Sequence, residues 1–426
     1  MNRLFQTLPW AVNTNIYEVN VRQYTEEGSF NAFAKHLPRL KKMNVQTIWF
    51  MPVTPISFVK RKGALGSYYA CSDYTSINPE FGTLDEFKKL VNKAHKLGIK
   101  VMIDWVANHT GWDHIWTKTH PEFFTHDAEG KFQPPFPDWE DVIHLDYSNK
   151  DLWTAMIASM QFWVDQCDLD GFRCDMAHLV PLEFWKQART ELDAKKKLFW
   201  LAETEEIRYH EVFDASYSWE LLHTMERYSR KERSINDIDA VLFKYASMYP
   251  KDALKVMFTS NHDENSHSGS EYERLGESAK PFGVLCATWN GIPLVYSGQE
   301  LPVINKRLKF FDKDVIPWTN DMAMQEFYRV LLKLRLEHPA LRAADPSVRT
   351  FRLDTSDNAN IFGYLRKKDK DEVAVLLNLS GDNRVFKING RVIEGAYTNV
   401  FTNQAMNIEG NATFEVGKWD YLVLTK

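Results

Sequence analysis

Residues 151–175 read DLWTAMIASMQFWVDQCDLDGFRCD, and their pattern decides the fold. As far as Cys167 the apolar residues recur with helical period. The turn-like Asp168-Leu169-Asp170 then gives way to Gly171-Phe172-Arg173-Cys174, a short apolar run that reads as a strand and stops at an acid, Asp175. Side chains alternate faces along a strand, so Arg173 and Asp175 point one way and Phe172 and Cys174 the other. A helix feeding a strand that ends in a carboxylate is one repeat of an alternating α/β chain.

The same rhythm extends outward in both directions. Strand-like runs occupy residues 16–21, 45–53, 100–106, 171–176, 198–202, 215–219, 254–259 and 293–297. Segments of helical period lie at 30–43, 84–97, 151–167 and 234–249, and a strongly amphipathic stretch at 322–337 closes the series. Eight strands, each followed by a helix, predict a parallel (β/α)8 TIM barrel over residues 1–345. Residues 108–147 are too long for a βα loop and rich in Trp, His, Pro and Asp, so they are expected to form a small subdomain inserted after strand 3. From residue 346 to 426 the pattern changes to short alternating runs (FRL, IFGYLRK, EVAVLLNL, RVFKI, TFEV, YLVLT), with turn signals at Asn389-Gly390 and Glu409-Gly410. That tail predicts a C-terminal antiparallel β-sandwich domain.

Composition sets limits on function. The 426 residues are 44% hydrophobic and 26% charged, as in an ordinary soluble globular protein. A net charge of −5 and a pI near 6.2 leave no electrostatic footprint for nucleic acid or an anionic membrane. The long uncharged window at 281–299 is broken by Asn290-Gly291-Ile292-Pro293 and reads as helix, turn and strand rather than a membrane span. Cys71, Cys167, Cys174 and Cys286 form no C-x-x-C pair, and no His cluster has zinc spacing. The first residues lack the apolar core of a signal peptide, so a reduced, cytoplasmic protein is expected. The 14 Trp suit both a large core and sugar stacking.

In a barrel, chemistry collects at the carboxyl ends of the strands. The third strand ends in Asp104-Trp105-Val106-Ala107-Asn108-His109, the fourth in Arg173-Cys174-Asp175, the fifth in Leu201-Ala202-Glu203, and the seventh in Asn261-His262-Asp263. A single Asp after a strand is ordinarily a helix cap or turn residue. Four strand ends that each deliver a carboxylate point to a site. An Arg beside Asp175 lowers its pKa and keeps it ionised, as a nucleophile requires. Glu203 follows an apolar run that is expected to desolvate it and raise its pKa, as a general acid requires. Two carboxyls pushed apart in this way are the retaining-glycosidase arrangement.

On these motifs the chain resembles the α-amylase family (glycoside hydrolase family 13) over essentially its whole length. The supporting stretches are YACSDY at 69–74, NPEFGT at 78–83 and GIPLVYSGQE at 291–300. The resemblance implies an α-amylase-type enzyme, with Asp175 as nucleophile, Glu203 as acid/base and Asp263 as the third acid, which stabilises the distorted sugar. It also implies that His109 and His262 hold hydroxyls of that sugar, that Arg173 orients Asp175, that Tyr69 stacks on the ring, and that Asp104 supports the site from inside the barrel. The expected substrate is an α-1,4-linked glucan or maltooligosaccharide. Alternatives are a cyclomaltodextrinase- or α-glucosidase-like or transglycosylating member, and a non-catalytic glucan-binding relative. No cofactor is expected.

There are departures from the family pattern. Ser67 stands where many members carry His, two residues before the stacking Tyr. His178 and Leu179 stand where many have Lys-His after the nucleophile, and His178 is counted with the substrate-binding residues. Many members hold a structural calcium with the Asn of the first region, an Asp of the inserted subdomain and a carbonyl after the nucleophile. Asn108 and Leu179 match that set, but His144 stands where the Asp would be, with Asp141 and Asp146 as substitutes. The expectation is that calcium is not required.

Overall fold

The computed structural model describes residues 3–301, 306–321 and 323–426. Eight parallel strands close a barrel in chain order: β1 Ile16–Val19, β2 Thr47–Phe50, β3 Lys100–Trp105, β4 Gly171–Cys174, β5 Phe199–Ala202, β6 Ala215–Tyr217, β7 Leu254–Met257 and β8 Ile292–Tyr296. All eight expected strands are present, shortened mostly at their carboxyl ends, where the chain leaves the sheet. The chain divides into two compact units. One comprises residues 1–8, 16–217 and 308–318, and the other residues 9–15, 218–307 and 319–426.

In the first unit the local chemistry of the chain sets the element ends. The helix Leu84–Lys96 opens on a capping box, in which Thr83 accepts from the Glu86 N–H and Glu86 reaches back to Thr83. The helix Lys150–Cys167 stops where Asp168 turns left-handed at φ 54°. Asp170 then ties the start of β4 to β3, its carboxylate accepting from the Val101 N–H at 2.9 Å, from Lys100 at 3.0 Å and from His95 at 2.7 Å. Gly171 is fixed by space, since a Cβ there would sit 2.2 Å from the Phe199 carbonyl oxygen of β5. The expected helix at 30–43 is instead two short ones, Phe30–Phe33 and Leu37–Lys42, with Pro38 in the first turn of the second. Trp49, Trp105, Trp163, Trp185 and Trp200 are fully buried, so packing accounts for many of the tryptophans. Within the insert, His109–Gly111 pairs antiparallel with Val142–His144.

In the second unit a six-stranded antiparallel sheet and the two-stranded antiparallel sheet Arg384–Lys387/Thr413–Val416 enclose one apolar core, in which Phe386 and Phe414 meet Leu365, Leu376 and Leu424. Two of the sheet's strands, Gly395–Asn399 and Ala405–Ile408, lie outside the runs read from sequence, because Ala396 and Ala405 are exposed while Asn399 is buried, so residue type does not follow burial. The amphipathic stretch at 322–337 forms the helix Ala323–Glu337; Met322 lies outside the described residues. Among the described residues no helix is long and apolar enough to cross a membrane.

Candidate active site

The site of the first unit is organised around Arg173, whose side chain is wholly buried. Its register in β4 faces Asp104 of β3 on one side and Leu201 of β5 on the other. One terminal nitrogen donates to both oxygens of Asp104, at 2.9 and 3.2 Å, and to Asp175 Oδ1 at 2.8 Å. The second terminal nitrogen lies 2.9 Å from Glu203 Oε2, a charge contact whose angle falls outside a hydrogen bond. Nε donates to the Tyr217 hydroxyl at 3.1 Å. Burial opposes the guanidinium charge, but Asp104 and Glu203 outweigh it and raise the Arg173 pKa well above its ordinary value.

Backbone ladder bonds place the two acids one residue beyond their strands. The Asp175 N–H donates to the Trp105 carbonyl and the Glu203 N–H to the Cys174 carbonyl, each at 3.0 Å. Met176 follows in a left-handed conformation, φ 41°, which is strained for a side chain other than glycine. That turn aims its N–H at Glu203 Oε2, 2.9 Å away. The sequence expectation for Glu203 is therefore corrected in one respect. The carboxyl is buried, at 6% exposure, and a cation and an N–H donor contact it; Phe199 and Leu201 share its face of the strand, while Trp200 and Ala202 face away.

Tyr69 joins the same network, its hydroxyl donating to Asp104 Oδ2 at 3.0 Å. Ser67 anchors the turn beneath it by accepting from the Tyr69 N–H at 3.1 Å, which gives the departure at that position a structural role. His109 is buried at the start of the insert's short strand. Burial first, then His144, pushes its pKa down to about 3, so the ring is neutral. His178 occupies the turn Ala177–Leu179. Its carbonyl accepts from the Tyr209 hydroxyl, and among the described residues no hydrogen bond joins its ring to the Arg173 network. In the second unit Asp263 and His262 follow β7. His262 is buried, its Nε2 lies 3.2 Å from Asp263 Oδ2, and the Asp263 side chain is 38% exposed. A model of the α-amylase catalytic domain matches residues 13–134 and 138–393.

The chain belongs to the α-amylase family. It is similar to a noncanonic maltogenic α-amylase, AmyB, of Thermotoga neapolitana, with 31% identity, 97% of this chain and 98% of that one covered, and a TM-score of 0.89. An α-amylase of Lactobacillus plantarum is similar at 30% identity over 97% and 99% of the two chains, with a TM-score of 0.87. The α-amylase MalA of Haloarcula japonica is 25% identical over 398 residues, and there the match covers 89% of this chain but only 57% of the relative.

The α-amylase family's calcium does not fit the residues present. Asp141 is paired with Lys62 at 3.0 Å, and Asp146 accepts from the Ser148 N–H at 2.9 Å. His144 offers an imidazole where a hard cation favours carboxylate oxygen. The Asn108 carbonyl accepts from the Leu145 N–H, and the Tyr209 hydroxyl donates to the carbonyls flanking Leu179, those of His178 and Val180, each at 3.1 Å. Among the described residues no group of three His, Cys, Asp or Glu is placed to hold a metal.

Three α-amylase-site features lie outside the sequence reading. Tyr217 ends the short β6, where a single Tyr carries no catalytic signature. Gln23 is fully buried, and its amide donates to the Lys309 and Asp312 carbonyls at 2.7 and 2.8 Å, fastening residues 308–318. Phe310 of that segment lies nearly parallel to Tyr69, with centroids 6.2 Å apart. No pattern links residue 23 to residue 310.

Proposed function

We propose that this chain is a retaining α-glycoside hydrolase acting on α-1,4-linked glucose units by double displacement. The observation that carries the reading is the single buried guanidinium of Arg173, which touches Asp104, Asp175 and Glu203 together. One guanidinium touching both carboxylates supports the close spacing that a retaining mechanism uses. Asp175, fixed at both backbone and side chain, attacks the anomeric carbon. Glu203 gives its proton to the departing glycosidic oxygen as that bond breaks. The ester at Asp175 is then opened by water or a sugar hydroxyl, whose proton returns to Glu203. Asp263 is the third acid, Tyr69 the platform beneath the ring, and His262 together with the neutral His109 holds its hydroxyls. His178 is read as lining the leaving-group side.

A second reading sharpens the substrate. The similarity to a maltogenic α-amylase favours the maltogenic, cyclomaltodextrinase-like or transglycosylating alternative over an endo-acting enzyme, with soluble maltooligosaccharides as substrate. The catalytic barrel is read as residues 1–345, the insert as 108–147 and the β domain as 346–426. The four unpaired, buried cysteines support a reducing, cytoplasmic setting.

A product time course on maltoheptaose, cyclodextrin, pullulan and sucrose tests both readings. Maltose as the early product from the first two is expected. A ladder of long products from maltoheptaose would refute the second reading. Undiminished turnover by a folded Asp175→Asn protein would refute the first.

A further inference from the structure

The carboxylate of Asp263 is steered by its backbone more than by its neighbours. Its side chain is 38% exposed, and among the described residues His262 alone pairs with it, at 3.2 Å. The turn that carries it is fastened on both sides by one buried side chain. Arg274, 8% exposed, lies in the short helix Glu271–Leu275, whose start is fixed by a capping box between Ser270 and Glu273. Its Nη2 donates to the Thr259 carbonyl at 2.7 Å, ahead of Asp263, and its Nε donates to the Gly269 carbonyl at 2.9 Å, beyond it. Nη1 pairs with Glu226 of the helix Trp219–Ser229 and lies 3.7 Å from the carboxylate of Glu264, the residue next to Asp263.

The turn is also tied within itself. Asn261 accepts from the Glu264 N–H at its side chain, 2.8 Å away, and from the Asn265 N–H at its carbonyl, 3.0 Å away. The turn ends at Gly269, φ 127°, a conformation open to glycine. Glu271 lies three residues before Arg274 and so on the same helix face. Its carboxylate accepts from the Thr259 hydroxyl at 2.7 Å, so the short helix grips Thr259 at both backbone and side chain. A guanidinium present only to neutralise Glu226 would need neither carbonyl. Charge-assisted bonds to carbonyls on either side of Asp263 fix the span of the turn, which a planar fork can do and a point charge cannot.

We propose that Arg274 is a positioning residue for Asp263: by fixing both ends of the turn 259–269 it holds the third acid where the distorted sugar forms. This rests on the glycosidase reading above. Arg274 acts through Asp263, so its removal is felt in turnover rather than in substrate binding.

The test sets Arg274→Lys and Asp263→Asn in a double-mutant cycle, assayed on maltoheptaose and on α-glucosyl fluoride, with Arg274→Ala and Glu226→Gln alongside. Arg274→Lys keeps a charge beside Glu226 but cannot reach both carbonyls. Its kcat is expected to fall about 100-fold, the cost of a displacement of roughly 1 Å, with KM within about threefold of wild type. In the Asp263→Asn background the same substitution should change kcat by less than about threefold, because the group it positions is already gone. Millimolar guanidinium should raise the kcat of Arg274→Ala by refilling the fork, whereas a protein merely destabilised would lose activity in this denaturant. Glu226→Gln leaves both carbonyl contacts in place and should lower the melting temperature while sparing kcat. Three results would each overturn the positioning role and leave the glycosidase reading intact: losses that multiply in the cycle, an Arg274→Lys kcat within about threefold of wild type, or guanidinium lowering the activity of Arg274→Ala. Wild-type protein inert toward both substrates would overturn both.

Discussion

Replacing Arg173 with Lys isolates what its geometry contributes, because the charge is kept. Arg173 presents donors in a planar fork that serves Asp104, Asp175, Glu203 and Tyr217 at 2.8–3.1 Å. A lysine ammonium is a compact point charge with three donors and cannot span them. At least one buried carboxylate and the Tyr217 hydroxyl lose their contact with Arg173. A buried acceptor left without its donor costs about 1–3 kcal/mol, and a broken buried ion pair about 3–5 kcal/mol. The expected loss of stability is therefore about 3–5 kcal/mol. Unfolding entropy of about 2.1 cal/mol/K per residue over 426 residues amounts to about 0.9 kcal/mol/K, so the melting temperature should fall by roughly 3–6 °C. Catalysis should suffer more. Once the pin at 2.8 Å is gone, a shift of Asp175, the proposed nucleophile, by about 1 Å costs on the order of 100-fold. Calorimetry and steady-state kinetics on a maltooligosaccharide read both quantities. A variant that keeps activity within about threefold and melts within about 1 °C of wild type would refute the claim that one guanidinium organises the site.

Glu203→Gln should cripple cleavage of glucose–glucose bonds while sparing ester formation from glucosyl fluoride, whose leaving group needs little protonation; equal losses in that step would remove Glu203 from the acid role. Burial raises the Asp170 carboxyl, but His95, the Val101 N–H and Lys196 outweigh it and hold its pKa at about 2. That lies below an unfolded value of about 3.9, so its contribution of about 2 kcal/mol is complete above about pH 4 and disappears as pH falls toward 2. Asp170→Asn should accordingly be destabilised at pH 7 and approach wild type in acid; a difference that persists at pH 2 would contradict this. Chelator treatment should leave activity and melting temperature unchanged, since a ligand held only by the folded state would add stability; a drop reversed by added calcium would show that the insert binds the ion after all.

The barrel was legible because each repeat announces itself. A helical run, a turn and a short apolar strand ending in an acid need only local pattern, and the alternation of faces placed Arg173 and Asp175 together before any coordinates. The β-domain strands Gly395–Asn399 and Ala405–Ile408 were not legible, because exposed alanines and the buried Asn399 uncouple residue type from the alternating burial of a strand. The environment of Glu203 was legible only in part: the apolar run before it does bury it, but Arg173 and the Met176 N–H reach it from the fourth strand and the turn that follows, which no local pattern brings to residue 203. Gln23 and Phe310 illustrate the limit of such reading. Their contribution lies in bonds between segments nearly 300 residues apart, and a glutamine after a strand looks the same whether it faces water or, as here, clamps a loop against Tyr69. Periodicity therefore identifies the scaffold and strand ends identify the chemistry. What surrounds the chemistry, and so what the enzyme prefers, is written in contacts between loops.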